Sequence, residues 1–136
     1  MIETVPMTVN DIDDVLKVEE NCFAIAWTRE DFMREMTENK LAIYFVAKCD
    51  GKIVGYAGMW HVVTEGQITN VAVLEEYRKM GVGAALMEAL INEAIKREMI
   101  GITLEVKISN YAAQRLYSKY GFKPEGFRKN YYKDTN

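Results

Sequence analysis

The stretch Arg78-Lys79-Met80-Gly81-Val82-Gly83 constrains this chain more than any other. An apolar, strand-like run precedes it, Ile68-Thr69-Asn70-Val71-Ala72-Val73, and it opens a helix-like run from Gly83 to Leu90. A strand that passes through a basic, glycine-spaced turn into a helix makes a seat for a phosphate. The first turn of a helix has amides without intrahelical partners and carries partial positive charge. Glycines let the backbone approach an anion closely, and Arg78 adds a fixed charge. Two phosphate motifs are excluded: no Gly-Lys-Ser/Thr follows, as a P-loop requires, and the spacing is not the G-x-G-x-x-G of the dinucleotide turn. Short glycine turns between strand and helix are common, so the remainder of the chain has to agree.

The pattern elsewhere predicts alternating strands and helices. Ile2 to Val5 reads as a first strand. Thr8-Val9-Asn10-Asp11 and Thr28-Arg29-Glu30-Asp31 are two capping boxes. The first is followed by Ile12, Val15 and Leu16, and the second by Phe32 and Met36, at helical spacing. Between them Asn21 to Trp27 is too apolar for an ordinary solvated loop, so it either packs over the core or lines a pocket. Ile43 to Cys49 is a strand, Asp50-Gly51 a hairpin turn, and Ile53 to Val63 the returning strand. Gly55 and Gly58 inside that strand point to a bulge or a close backbone approach. Glu65-Gly66 marks the next turn, and a fourth strand runs to Val73. A helix spans Val82 to about Met99, with Leu86, Ala89, Leu90 and Ala94 on one face. Ile102, Leu104 and Val106 alternate with Thr103 and Glu105 in a fifth strand. Ala113, Leu116, Tyr117 and Tyr120 define a last helix, with Gly121 as its C-terminal stop and Phe122 as the following apolar contact. Phe127 to Tyr132 is a sixth strand. The order is that of an α/β (α+β) mixed sheet with helices on both faces.

A chain of 136 residues fits one domain spanning residues 1–136. Its net charge of −3 argues against a nucleic-acid surface driven by bulk charge, though it leaves room for a local acidic cleft that takes a cationic substrate. Cys22 and Cys49 stand in no metal-ligand or redox spacing and read as reduced thiols, so no metal is expected. No apolar run reaches membrane-spanning length and no signal segment opens the chain, so a cytoplasmic protein without a membrane partner is expected.

The turn Arg-x-x-Gly-x-Gly after a strand resembles the pyrophosphate-binding turn of the GCN5-related N-acetyltransferases, which hold acetyl-coenzyme A. The resemblance covers nearly the whole chain and is strongest in its second half. Gln67 to Val73, Tyr77 to Gly83, Leu104-Glu105-Val106, Ser109 to Ala113, Leu116-Tyr117 and Tyr120-Gly121-Phe122 stand in the family's order and spacing. As a set they are similar to the bacterial ribosomal-protein alanine N-acetyltransferases. The resemblance implies a mostly antiparallel sheet in which the fourth and fifth strands splay apart. It implies that Val71, Ala72 and Val73 pair with the pantetheine arm, and that the amides of Lys79, Met80, Gly81, Val82, Gly83 and Ala84, with Arg78 beside them, cradle the pyrophosphate. Asn110 would touch the cosubstrate as well. Glu105 would be the base and Tyr117 the acid. The acceptor implied is the N-terminal alanine of a small-subunit ribosomal protein.

The residues themselves leave alternatives open. Amine acylation needs a neutral amine and a proton for the leaving thiolate. An α-amino group, with a pKa near 8 against about 10.4 for lysine, asks little of its base. Glu105 is polar in an alternating strand and could instead face solvent, whereas Tyr117 lies on an apolar helix face and could be a core aromatic. Glu65 is a rival base. His61, the one histidine, reads as structural, since no nucleophile elbow accompanies it. Tyr131-Tyr132 could clamp a peptide or simply pack. Another peptide or a small amine could be the acceptor, and a non-catalytic acyl-coenzyme A-binding module is the reading outside enzymes. The family's final strand has no counterpart in the pattern, so Phe127 to Tyr132 is expected to be an exposed edge, with either disorder near the C-terminus or self-association through it.

Overall fold

The computed structural model describes residues 1–105, 123–125 and 128–132, with side chains through Leu104. Seven strands form one sheet in the order β1-β2-β3-β4-β5-β7-β6. They are β1 (Ile2–Pro6), β2 (Ala42–Cys49), β3 (Lys52–Val62), β4 (Glu65–Val73), β5 (Gly101–Glu105), β6 (Lys123–Glu125) and β7 (Arg128–Tyr132). The described helices are α1 (Ile12–Cys22), α2 (Arg29–Glu38) and α3 (Val82–Lys96). β4 and β5 pair in parallel, bridged by α3, and every other neighbouring pair is antiparallel.

Local chemistry explains most boundaries. In both capping boxes the threonine and the aspartate three residues on satisfy each other's backbone amides: Thr8 with Asp11, and Thr28 with Asp31. Backbone N–H and Thr28 hydroxyl bonds to Asp31 hold its carboxyl below the usual range, with Arg34 contributing less. Asp50 and Gly51 both have positive φ, 52° and 84°, which is the backbone a two-residue hairpin turn demands. The turn before β4 falls on Val63-Thr64, with Val63 at φ 55°, so Glu65 and Gly66 already belong to the strand. α3 stops at Lys96 rather than Met99. Glu98 takes φ 59° there, and the Met99 amide closes back on Ala94 O at 2.9 Å.

The sheet is covered on both faces. α3 packs on one with Ile43, Ala47, Val54, Ala57, Met59, Ile68, Ile102 and Leu104. α1 and α2 cover the other, with Tyr44, Val46, Ile53, Tyr56 and Ala72. Both glycines of β3 have steric causes. A Cβ on Gly55 would lie 2.9 Å from Ala72 O and 3.1–3.2 Å from Val82 and Leu86, so this residue lets α3 approach the sheet. Gly58 sits where the β3–β4 register slips from Gly58↔Asn70 to Met59↔Ile68, leaving Thr69 as an extra residue. That bulge changes which face each residue of β4 occupies. Ile68 and Val71, three apart, pack toward α3, while Asn70 and Ala72 turn toward α1.

One expectation fails. The last strand is not missing: β7 is flanked by β5 on one side and β6 on the other, so residues 128–132 are not the edge of the sheet. The edge is β6, three residues with Pro124 at the centre. Proline donates no ladder hydrogen bond and is tolerated at an edge, where it also blunts pairing with another chain. The premise for self-association through Phe127 to Tyr132 is therefore removed. The predicted last helix, Gly121, Phe122 and Phe127 lie outside the described residues.

Candidate active site

Among the described residues, β4 pairs with β5 from Glu65↔Gly101 to Ile68↔Leu104. β4 runs on to Val73, whereas β5 stays with β7 through Glu105↔Arg128. Among the described residues β4 has no β5 partner beyond the bulge. Val71, Ala72 and Val73 lie along β4 past the last described pair, and Glu105 is the first position of β5 past it. Glu65 sits at the opposite end of the described pairing, four residues from Thr69 along β4, roughly 13 Å at strand rise. His61 is beside it in the hairpin, with its Nδ1 3.3 Å from Arg97 Nη1. Both are remote from the bulge. Asn110 and Tyr117 lie outside the described residues.

Beyond β4 comes the glycine-spaced turn. Lys79 and Gly81 adopt φ 67° and 86°, and Gly81 is the N-cap of α3 in the left-handed conformation. A non-glycine residue in that region stores roughly 1–2 kcal/mol, and such outliers gather at ligand clamps. Backbone that alternates into left-handed conformation can turn successive N–H groups into an anion-binding concavity. Nothing lies within 4 Å of where a Gly81 Cβ would be, so the space before the helix is open. Arg78 behaves differently from the simple expectation. Its Nε donates to Val73 O at 3.1 Å and its Nη2 lies 3.6 Å from Cys22 Sγ, whose thiol also donates to Val73 O at 3.2 Å. Arg78 thus braces the turn against the ends of β4 and α1.

The segment Asn21–Trp27 resolves as anchored at both ends. Asn21 Oδ1 accepts the Glu75 amide at 3.2 Å, Cys22 bonds Val73 O, and the Trp27 amide donates to Glu19 Oε2 at 2.9 Å. Between these ties Ile25 is 94% exposed. Trp27 stacks edge-on against buried Phe32 and lines a groove of about 400 Å³ with Asp31, Arg34, Glu35, Glu38 and Asn39. That groove is acidic, but Asp31 is engaged with Thr28 and Arg34, and Glu35 with the tyrosine network below.

Two buried carboxylates escape a reading of the sequence. Glu19 on α1 accepts Tyr56 Oη at 2.5 Å, and Tyr56 Oη accepts Asn70 Nδ2 at 2.7 Å. Asn70 Oδ1 in turn accepts the Thr69 hydroxyl at 2.9 Å. Glu35 on α2 accepts Tyr44 Oη at 2.8 Å, Trp60 Nε1 at 2.6 Å and Asn39 Nδ2 at 3.1 Å. Burial, reinforced by these carboxylates, pushes both phenols far above the ordinary tyrosine range. Tyr44 and Tyr56 therefore remain protonated donors and are poor proton sources for a leaving group. The signal for both acids is in the helices. Glu19 continues the stripe of Ile12 and Val15, and Glu35 follows Phe32 by three, so each carboxylate holds a slot where the pattern calls for an apolar residue.

No cluster of potential metal ligands occurs among the described residues, and no described helix is long and apolar enough to cross a membrane. The pattern that defines the acetyltransferase (GNAT) family matches residues 12–122. A Bacillus subtilis (strain 168) protein, named "Putative ribosomal protein bS18-alanine N-acetyltransferase", is 41% identical over 129 residues, covering 95% of this chain and 85% of its own. The ribosomal protein bS18-alanine N-acetyltransferase of Escherichia coli (strain K12) is 33% identical over 130 residues, covering 96% and 86%. The crystal structure of the Escherichia coli ribosomal-protein-S18-alanine N-acetyltransferase superposes with a TM-score of 0.82 at 28% identity, over 96% of this chain and 89% of that one. The fold is shared more widely. The PaiA N-acetyltransferase of Thermoplasma acidophilum, solved with coenzyme A, gives a TM-score of 0.84 at 15% identity, over 96% of both chains. The mixed sheet, the left-handed glycine turn and these likenesses agree: the chain belongs to the acetyltransferase (GNAT) family.

Proposed function

We propose that this chain is an acetyl-coenzyme A-dependent N-acetyltransferase of the cytoplasm whose acceptor is a protein N-terminal α-amine, that of the alanine opening the small-subunit ribosomal protein bS18. The observation that carries the reading is the left-handed glycine turn at the α3 N-terminus, directly after the stretch of β4 that lies past its last described pair with β5. In this reading that stretch of β4 takes an extended arm, and the helix start next to it suits a pyrophosphate. The names of the relatives at 41% and 33% identity support the acceptor.

Acetyl-coenzyme A supplies an activated acetyl thioester. In this reading the backbone of Val71 to Val73 holds the pantetheine arm. The amides from Lys79 to Ala84 hold the pyrophosphate, and Asn110 also contacts the cosubstrate. Arg78 keeps the turn in register with β4. Glu105 removes a proton from the attacking amine nitrogen as the N–C bond forms. Tyr117 gives a proton to sulfur as the C–S bond breaks. An α-amine with a pKa near 8 is partly neutral at physiological pH, so a carboxylate is base enough.

The test is release of free thiol with a peptide panel that includes the bS18 N-terminus. Glu105→Gln and Tyr117→Phe are each expected to lower kcat by about 10²- to 10⁴-fold with the fold intact. Gly83→Glu, which sets a negative charge against the helix start, should weaken acetyl-coenzyme A by at least about tenfold, roughly 1.4 kcal/mol. Undiminished cosubstrate binding in Gly83→Glu removes the proposed seat. Full activity in Glu105→Gln, with loss in Glu65→Gln, moves the base to β4. Cosubstrate binding without transfer to any amine favours an acyl-coenzyme A-binding module.

A further inference from the structure

Glu19 is 3% exposed and takes no part in the chemistry above, yet it stands at the centre of a continuous chain of bonds. From Thr69, the extra residue of the bulge, the links run through Asn70 and Tyr56 to Glu19, and from Glu19 to the Trp27 amide. One oxygen of the carboxylate holds the sheet side and the other holds the loop side. The last described β4–β5 pair falls at the bulge, and the loop Asn21–Trp27 reaches the end of β4 through Cys22 and Asn21. We infer that Glu19 is a positioning residue for acyl transfer: acting through Tyr56 and Asn70, it locks the β4 bulge and the Asn21–Trp27 loop into one frame. The inference rests on the acyl-transfer reading for its kinetic consequence, not for its structural one.

The bulge makes this arrangement possible. In a regular strand Asn70 would share the face of Ile68 and point toward α3. The extra residue carries it to the α1 face, within 2.7 Å of Tyr56 Oη. A carboxylate is suited to the role because it only accepts. It takes one bond from a phenol and one from a backbone amide, and it cannot donate into an alternative partner. Glutamine has one carbonyl oxygen where two are used, so Glu19→Gln keeps the shape of the side chain and breaks the division of labour.

The experiment compares Glu19→Gln and Tyr56→Phe with Glu35→Gln, which alters the other buried carboxylate and removes none of the four bonds from Thr69 to Trp27. Amide hydrogen exchange at Trp27 and across Thr69–Val71 is read first. Faster exchange at both places in Glu19→Gln and Tyr56→Phe, but not in Glu35→Gln, is expected. Faster exchange at one place alone overturns the inference. Acceptor kinetics are read second. A geometric slip near the reacting atoms should cost on the order of 10- to 10²-fold in kcat/KM for the peptide, with acetyl-coenzyme A affinity held within about threefold. A loss in Glu19→Gln no larger than in Glu35→Gln also overturns it. If the wild-type protein acetylates no amine, the proposed function fails, and the exchange measurement alone decides on the positioning frame.

Discussion

Gly58→Ala is the sharpest single test of the packing that supports the bulge. A Cβ at this position would stand 2.5 Å from Tyr44 Cζ and 2.9 Å from Thr69 Oγ1. Favourable carbon–carbon contact needs about 3.5–4.0 Å, so the ring has to retreat by about 1 Å. It has little freedom to do so. Tyr44 is 5% exposed, its ring is stacked at 6.4 Å on Tyr56, and its hydroxyl holds Glu35 at 2.8 Å. Overpacking of a tight core costs about 1–3 kcal/mol, and weakening a buried bond to a charged group about 1.5–3 kcal/mol. Because the two effects overlap, the expected destabilisation is about 2–5 kcal/mol. At about 4 °C per kcal/mol for a chain of this size, Tm should fall by roughly 8–20 °C. Calorimetry and urea titration measure it. The decisive control is the same substitution in a Tyr44→Leu background, where the offending ring atoms are gone and the added cost should drop below about 1 kcal/mol. A Tm within about 2 °C of wild type, or an equal cost in both backgrounds, would refute the reasoning.

Two further outcomes follow from the backbone and the caps. Gly81→Ala meets no atom within 4 Å, so its cost is the φ of 86° alone, about 1–2 kcal/mol, and acetyl-coenzyme A affinity should fall with it; an affinity equal to wild type would separate the turn from the seat. Asp31 has a lowered folded pKa, so its contribution is complete above the unfolded value of about 3.9 and is lost as pH falls through the folded one. Denaturation curves should therefore show wild type more stable than Asp31→Asn at pH 6, with the gap closing below pH ~4.

What the sequence made legible is what depends on near neighbours. The two capping boxes, the Asp50-Gly51 hairpin and the glycine turn before α3 each act over three or four residues, and each has its expected form. Long-range causes were harder to see. β6 was passed over because three residues centred on Pro124 carry no strand pattern; only the neighbouring β7 gives them a ladder. Gly66 looked like a turn residue, but it is needed because Met59 Sδ would lie 2.6 Å from a Cβ there, while the turn itself falls on Val63. Of the candidate site, Val71 to Val73, the turn and position 105 could be found from the motifs. Glu19 shows only as a carboxylate in an apolar stripe, and its link to Tyr56 does not show at all, because that link's meaning depends on a bulge that swings Asn70 across the sheet.

The seam between β4 and β5 has a consequence for how the molecule is put together. Four described register pairs join β1–β4 to the β5–β7–β6 ribbon, and the residues they join are separated by the whole of α3. The first unit leaves the ribosome with most of both apolar clusters already in its own sequence, whereas the second is three strands that arrive last. The proposed cosubstrate seat spans their junction, so it exists only once that late ribbon has docked. Loss of docking and loss of the seat are then a single event, and a ligand lying along the junction works as a suture, tightening the join in proportion to its concentration over its dissociation constant.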